Sequence, residues 1–388
     1  MRECLWFLAR ADDSVFLRRK RVPPQLTGYH QLPLSKESCG EPNVWRATVK
    51  SAVTQTVTMH VQFGYRAEAE GHQPNELLRF AAKAHKIGFD FVPISDHFHP
   101  WFHTNAACPF AWSWMSAASA TIPDLRFGTI VTSPIGRYHP AVIAQAFATM
   151  DAMFPGRIFI ALGTGEAMND SPLGYPWPKF SERLERLRES VEIIRNLWTL
   201  DFVDYTGTYY TLKGAKLYTK PKTNIPIYIA ANGPKAAALV GEYADGYATI
   251  DTVKSNITNL WPIIEKAARD SGRDVSKLTK NVELFVSYAK DQDDALVSAR
   301  RWKSGLIPNI LNLPIHDPRE LEKAGNEISD QELAKVWTIT SSAEDLIKKA
   351  EEAIALGYDE IQFHNAGPSE DEFLNICDKE VLPYLKQK

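Results

Sequence analysis

The run Phe89-Asp-Phe-Val-Pro-Ile94 is followed at once by Ser95-Asp-His-Phe-His-Pro-Trp101. The first run is mostly apolar and predicts a buried strand, and the proline of the second run stops any regular continuation. The second run also brings an acid, two histidines and an indole close together along the chain. Because α/β enzymes place acid–base groups at the ends of strands, this stretch predicts an active site at a strand's carboxyl end.

Outward from this stretch, predicted strands and helices alternate from Met59 to the end of the chain. The predicted strands are 59–65, 89–94, 125–132, 157–162, 225–231, 244–250, 281–289 and 360–364. Amphipathic segments such as 180–198 lie between them and predict helices. Strands that are apolar on both faces and joined by helices indicate a buried parallel sheet. Eight such units predict an α/β protein with a closed (β/α)8 TIM barrel rather than an open sheet.

Three segments depart from this alternation. Residues 205–214 are typical of a β-hairpin inserted before the fifth barrel strand. Residues from about 291 to 341 contain several prolines and are predicted to be an irregular insertion, which at that length often forms a lid or a pocket wall. Residues 1–58 show no sustained period, and we interpret them as a disordered extension or a mis-assigned start. The barrel domain is therefore predicted to span 59–388.

Composition and charge exclude several classes of function. The chain has 388 residues, 44% of them hydrophobic, which is enough for a large core. Its formal net charge of −3 gives no electrostatic footprint for nucleic acid or an anionic membrane. No run approaches the roughly 18 apolar residues of a membrane helix. The four cysteines form no CxxC pair, which argues against a disulfide framework and fits a reducing cytoplasm. We expect a cytoplasmic enzyme with a small-molecule substrate.

The carboxyl ends of the predicted strands carry groups suited to proton transfer. Asp96 and His97 follow the second strand, and Glu166 follows the fourth. An imidazole and carboxylates that converge from separate strands are what acid–base catalysis requires. Structural alternatives exist for each of them: Asp96 with His97 as a hydrogen-bonded pair, Glu166 as an acid at a helix N-terminus, and Trp101 as a core residue.

Two further patterns suggest binding sites. Glycine-containing turns at 163–165 and 232–234 leave backbone N–H groups free for an anion, and Pro234 suits the first position of a helix. The histidines at 97, 99 and 103 allow a metal site with Asp96, but no second cluster completes a ligand shell. We therefore predict an anion-binding turn and no metal.

Four motifs together resemble the coenzyme F420-dependent branch of the bacterial-luciferase-like superfamily. They lie at 95–101, 137–150, 163–169 and 230–234. The likeness is greatest to the F420-dependent glucose-6-phosphate dehydrogenases and the F420-dependent secondary alcohol dehydrogenases, and it covers about 59–385. The resemblance implies a (β/α)8 barrel with insertions, a homodimer, and coenzyme F420, a deazaflavin, as cofactor.

The resemblance also implies roles for individual residues. His97 and Glu166 match the family's acid–base pair, and Trp101 matches an indole beside the deazaflavin. The implied reaction moves a hydride from a carbinol carbon to the deazaflavin, while His97 takes the hydroxyl proton and Glu166 protonates the cofactor. The positions that match cofactor-binding residues are Asp96, Ile130, Val131, Ser133, Thr164, Gly165, Asn169, Asn232, Gly233, Lys235 and Ala236.

The chain departs from the sugar-phosphate members of this family in the residues that hold the phosphate. Those members use a threonine, two lysines and an arginine. The corresponding substrate-pocket positions here are Ile250, Val253 beside Lys254, residues 312–313, and Val336. Charge-assisted hydrogen bonds of about 1.5–3 kcal/mol each are thereby lost, which disfavours a tightly held phosphate.

This departure leads us to expect an F420-dependent dehydrogenase that acts on a secondary alcohol or a sugar-type hydroxyl. The first alternative is glucose-6-phosphate dehydrogenase activity proper, with lysines elsewhere restoring the clamp. The others are methylene-tetrahydromethanopterin reductase chemistry, an FMN-dependent luciferase-like monooxygenase, and a barrel that only binds.

Overall fold

The computed structural model describes residues 61–251 and 255–387 of the chain. Its strands are β1 (Gln62–Tyr65), β2 (Phe91–Ile94), β3 (Arg126–Thr132), β4 (Ile158–Leu162), β5 (Val203–Thr206), β6 (Thr211–Ala215), β7 (Ile227–Ala230), β8 (Gly246–Ile250), β9 (Thr279–Tyr288), β10 (Thr338–Thr340) and β11 (Glu360–Asn365). Its helices are α1 (Pro74–Ile87), α2 (Ala111–Thr121), α3 (Pro140–Met153), α4 (Ala167–Asp170), α5 (Phe180–Thr199), α6 (Pro234–Tyr243), α7 (Ser255–Asp270), α8 (Gln292–Ala299), α9 (Pro318–Gly325), α10 (Asp330–Val336), α11 (Ala343–Ala355), α12 (Glu370–Ile376) and α13 (Leu382–Leu385).

Within the described residues, eight parallel strands form a closed barrel. The order around it is β1, β2, β3, β4, β7, β8, β9 and β11, and parallel pairing of β11 with β1 closes the ring. Helices follow the strands and cover them, so that β2 and β4 are buried along their whole length. The predicted (β/α)8 barrel is confirmed. No helix in the described part of the chain has the length and hydropathy needed to cross a bilayer.

The interior of the barrel is filled by a layer of aromatic side chains. Phe159 contacts both Phe91 and Tyr228, with ring centroids 6.1 and 5.6 Å apart. Gly128 makes this possible, because a Cβ there would lie 2.4 Å from the Phe159 ring. Ile130 and other residues of the same cluster also line the cavity described below. The aromatic layer therefore forms the base of that cavity.

Both predicted insertions are present, but one differs from expectation. The hairpin is confirmed as the antiparallel pair of β5 and β6. The segment from 291 to 341 is not irregular: it contains α8, α9 and α10, and β10 then extends the sheet beside the end of β9. It packs through Trp302, Leu333 and Trp337, and it forms one wall of the cavity. The extension predicted at 1–58 lies outside the described residues.

Candidate active site

A cavity of about 460 Å³ opens at the carboxyl ends of the barrel strands. Side chains on or just after all eight barrel strands contribute to its lining, which is mostly apolar. Eight residues predicted from the sequence lie around it: His97, Trp101, Ile130, Val131, Glu166, Asn232, Ile250 and Val336. The Trp101 ring meets His97 edge-on, with centroids 6.1 Å apart. The strand-end prediction therefore identified residues that share one site.

Asn169 connects the two predicted acid–base residues. Its Nδ2 donates a hydrogen bond to Oε2 of Glu166 at 3.0 Å and lies 3.2 Å from Nδ1 of His97. Its Oδ1 accepts a hydrogen bond from the backbone N–H of Phe98 at 2.9 Å, which fixes the orientation of the amide. Nδ1 of His97 lies within hydrogen-bond distance of both amide atoms, 3.2 Å from Nδ2 and 3.3 Å from Oδ1, so that Asn169 holds the ring in either tautomer.

Glu70 completes this network on the other side of the imidazole. Its Oε1 lies 3.3 Å from Nε2 of His97, and its Oε2 accepts a hydrogen bond from Ser95 at 2.8 Å. Glu70 is completely buried, and it lies shortly after β1. A carboxylate on one imidazole nitrogen orients the ring and stabilises its protonated form. Glu70 was not predicted from the sequence, although an acid after a strand end was the pattern that identified Asp96 and Glu166.

The pKa of Glu166 departs from that of an exposed glutamate. Burial raises the pKa of its carboxyl, and the neighbouring His97 offsets part of that effect. A carboxyl group with a raised pKa holds its proton closer to neutral pH, where it serves as a general acid. Glu166 is thus suited to the donor half of a proton-transfer pair.

Asp96 has a different position from the one predicted. Its carboxylate is buried and accepts hydrogen bonds from Thr132 at 2.7 Å, Arg137 at 2.8 Å and Tyr138 at 3.1 Å. It does not line the cavity. Asp96 therefore ties the chain after β2, next to His97, to the end of β3 and the segment that follows it.

The remaining predicted cofactor residues form two groups. In the first, Ile130 and Val131, joined by a cis peptide bond, present an apolar surface to the cavity. Ser133 lies beside the Thr164–Gly165 turn: a Cβ on Gly165, whose φ is +70°, would lie 2.2 Å from Oγ of Ser133. The Ser133 hydroxyl is buried and has no hydrogen-bond partner among the described residues. A flat ring with polar edges fits this combination of apolar floor and open hydroxyl.

The second group lies at the start of α6. Gly233 is the N-cap residue, Pro234 occupies the first turn, and a Cβ on Gly233 would meet open space. Lys235 is exposed and Ala236 is buried. Free N–H groups and the helix dipole favour an anion there, and Asn232 extends the same turn into the cavity. Both groups fit the deazaflavin and the phosphate of coenzyme F420.

The predicted substrate side of the cavity is apolar and aromatic. Ile250 and Val336 both line it, whereas Val253 and Lys254 lie outside the described residues. Phe285 and Trp337 stack with centroids 4.7 Å apart and an interplanar angle of 15°. Where the sugar-phosphate members hold a phosphate, the described lining thus offers hydrophobic surface.

A buried charged group at the cavity was not predicted. Glu283 on β9 accepts hydrogen bonds from Nε of Arg66 at 3.0 Å and from Nδ1 of His364 at 2.7 Å. All three residues line the cavity and are at least nine-tenths buried. Burial opposes ionisation of Glu283, but Arg66 and His364 outweigh it and lower the pKa of the carboxyl to about 2. Glu283 is therefore ionised at neutral pH.

The histidines considered as metal ligands do not form a common site. Nδ1 of His99 lies 2.9 Å from the carbonyl oxygen of His316, and the backbone N–H of His103 donates to Glu322. Among the described residues, metal-ligand spacing is found instead at Glu68, His72 and Glu370. Arg301 donates to Glu68 at 2.9 Å and supplies a counter-charge there.

Comparison with known proteins identifies the family to which this chain belongs. A family model described as luciferase-like monooxygenase matches residues 55–360. This chain therefore belongs to the luciferase-like monooxygenase family, in agreement with its barrel and the position of its cavity.

Two relatives then narrow the comparison within that family. The chain is 38% identical to the F420-dependent glucose-6-phosphate dehydrogenase 2 of Rhodococcus jostii, over 85% of this chain and 99% of that protein. It is 36% identical, with a TM-score of 0.81, to the structure of an F420-dependent secondary alcohol dehydrogenase in complex with an F420–acetone adduct, over 84% of this chain and 99% of that one. A coenzyme F420-dependent tetrahydromethanopterin reductase from Methanopyrus kandleri, 20% identical, shares the fold with a TM-score of 0.68 over 84% of this chain and 99% of that one.

Proposed function

We propose that this chain is a coenzyme F420-dependent dehydrogenase that oxidises a CH–OH group of a small molecule. The observation that carries the proposal is the pair of His97 and Glu166, bridged by Asn169, at the edge of a cavity with an apolar floor. Oxidation of an alcohol needs one group that removes the hydroxyl proton and a second site that accepts the hydride. The names of relatives at 36–38% identity support the same activity.

The cofactor is held by the two groups of residues described above. Ile130 and Val131 support the ring, Ser133 and the 164–165 turn contact its polar edge, and the start of α6 binds the phosphate. When bound, the deazaflavin supplies a hydride acceptor at the cavity.

The chain's own residues move the protons. His97 removes the hydroxyl proton, and its ring is held between Glu70 at Nε2 and Asn169 at Nδ1. The Glu70 carboxylate stabilises the imidazolium that results. Glu166 is the donor of the pair, since burial raises the pKa of its carboxyl. Trp101 borders the same space and helps to exclude water from it.

The lining supports an uncharged substrate rather than a sugar phosphate. Ile250 and Val336, at positions that the family resemblance assigns to a phosphate clamp, are apolar, and Arg66 is bound through Nε to the carboxylate of Glu283. A dianionic phosphate in such surroundings would lose its hydration and would lie beside an ionised carboxylate. We therefore place this enzyme with those that act on unphosphorylated alcohols.

A substrate panel tests this function. Purified protein and oxidised coenzyme F420 are mixed with 2-propanol, cyclohexanol, glucose or glucose 6-phosphate, and the loss of the cofactor's visible absorption is followed. We expect turnover with at least one unphosphorylated alcohol and a lower kcat/KM for the sugar phosphate. Turnover with glucose 6-phosphate alone would overturn the substrate assignment. Tighter binding of FMN than of coenzyme F420, without dehydrogenase activity, would overturn the function itself.

The family resemblance also supports a homodimer that works in the cytoplasm. A homodimer would have twice the chain's mass of 43.6 kDa. Light scattering on the purified protein measures this mass, and a monomer at micromolar concentration would contradict the proposal.

A further inference from the structure

One oxygen of the Glu283 carboxylate is unused by the protein. Oε1 accepts both hydrogen bonds that the carboxylate receives, from Arg66 and from His364. Oε2 accepts none from the described residues, although Glu283 is only 5% exposed and lines the cavity. An ionised carboxylate loses much of its hydration when it is buried, and its free oxygen needs a donor in return. In this position the donor must come from what the cavity contains.

The chemistry of that donor is restricted by the charge of Glu283. A carboxylate only accepts hydrogen bonds, so its partner must carry an O–H or N–H group. A second carboxylate or a phosphate in contact with Oε2 would be repelled by it. Arg66 binds Glu283 only through Nε, and its Nη1 is buried without a hydrogen-bond partner among the described residues. The pair therefore offers a ligand both an acceptor and a donor, and a hydroxyl, which can donate and accept, satisfies both.

The aromatic wall beside Glu283 adds a second requirement. Trp302 and Trp337 both meet the His364 ring, with centroids 4.6 and 5.3 Å away, and all three line the cavity. These contacts keep His364 in place as a donor to Glu283. They also give the cavity flat apolar faces, against which C–H groups of a ligand pack favourably. A ligand with C–H faces and hydroxyl edges satisfies both features.

We propose that the substrate is an uncharged polyhydroxylated molecule, a polyol or an unphosphorylated sugar, whose second hydroxyl donates a hydrogen bond to Oε2 of Glu283 while the reacting CH–OH group lies at His97. The inference rests on the proposed dehydrogenase function and specifies its substrate class. In this proposal Glu283 discriminates between polyhydric and monohydric alcohols. Arg66 and His364 position the carboxylate of Glu283.

The test compares two rings of equal carbon number, myo-inositol and cyclohexanol, together with glucose. kcat/KM is measured with coenzyme F420 for the natural chain and for Glu283→Gln. We expect the natural chain to prefer the polyhydric compounds, and the variant to lose about 10- to 100-fold in kcat/KM for them, since a hydrogen bond to a charged group is lost. The loss for cyclohexanol is expected to be smaller than the loss for the polyhydric compounds, because its single hydroxyl is the one that reacts. Equal kcat/KM values for all three compounds, in both the natural chain and the variant, would overturn the inference.

Calorimetric titration of the F420-loaded proteins with glucose and with cyclohexanol separates this inference from the proposed function. If no compound is oxidised but glucose binds the natural chain and not the variant, the dehydrogenase function fails and the role of Glu283 stands. If cyclohexanol is oxidised while glucose neither binds nor reacts, the function stands and the inference fails. Should Glu283→Gln not fold, the preference of the natural chain for myo-inositol over cyclohexanol decides the matter alone.

Discussion

The carboxylate of Glu70 lies 3.3 Å from Nε2 of His97, and both side chains are at least nine-tenths buried. This contact supports the role of base that we propose for His97 at the end of β2. Asn169 lies at the other ring nitrogen, so that the imidazole is held from both sides between Glu70 and the Asn169–Glu166 pair. The proton path proposed above therefore begins at a residue that is held in one orientation.

Glu70→Gln removes the charge and keeps the shape of this partner. We expect kcat to fall by about 10- to 100-fold, because the protonated form of His97 loses its stabilising carboxylate. Affinity for coenzyme F420 and the midpoint of urea unfolding are expected to stay close to the natural values. Glu242→Gln, an exposed substitution on α6, is the matched control. An unchanged kcat in the Glu70 variant would remove this residue from the mechanism.

Glu166→Gln tests the donor of the pair. Turnover should fall more than cofactor affinity, since the side chain keeps its shape but loses its proton. Because burial raises the pKa of Glu166, turnover of the natural enzyme is expected to fall as pH rises through that pKa. The residual activity of the variant should lack this alkaline decline. Steady-state kinetics across pH, with cofactor affinity from fluorescence, make the comparison, and identical pH profiles would exclude Glu166 as the acid.

Asp96→Ala is expected to destabilise the fold rather than to act on the cofactor directly. The change leaves the buried guanidinium of Arg137 without its carboxylate, and breaking a buried pair costs about 3–5 kcal/mol. Asp96→Asn keeps the hydrogen-bonding shape and should lose less. Urea unfolding gives the free energies. If the variant unfolds at the same urea midpoint as the natural chain but binds the cofactor more weakly, the result would instead support the direct contact between Asp96 and the cofactor that was predicted from the sequence.

Much of the barrel could be predicted because each of its strands is a short, mostly apolar run that can be recognised in the sequence. The predicted strands at 157–162 and 360–364 correspond to β4 and β11 within one residue at each end. The helices between 291 and 341 were missed because they are short and because the segment also contains Pro308, Pro314 and Pro318. Their caps were nonetheless present in the sequence: Asp317 before Pro318, and Ser329 with Glu332 as a capping box.

The charged part of the site could not be predicted in the same way. Arg66 and Glu283 are 217 positions apart, and each is an isolated charged residue in an apolar strand region. Only closure of the barrel brings β1 and β9 to opposite sides of β11 and pairs these charges. Asp96 is a similar case, because in the sequence it follows the end of a strand, where a cofactor contact is expected. Its three partners, Thr132 at the end of β3 and Arg137 and Tyr138 after it, are identified only by the three-dimensional structure.

The buried carboxyl of Glu370 makes stability depend on pH. Burial and the nearby charge of Glu68 raise the pKa of Glu370 to about 8, above the value of 4.5 for an exposed glutamate. An acid whose pKa is raised by folding binds more protons in the native state, so that its contribution to stability declines as pH rises from about 4.5 to about 8.

Glu370→Gln removes the ionisation and keeps an acceptor for Asn365, which donates to Glu370 at 3.2 Å. We expect the variant to match the natural chain at pH 5 and to exceed it by about 1–3 kcal/mol at pH 8.5. Urea unfolding at several pH values measures the difference, and the exposed substitution Glu380→Gln serves as control. A stability difference that does not change with pH would mean that Glu370 is ionised in the folded protein throughout this range.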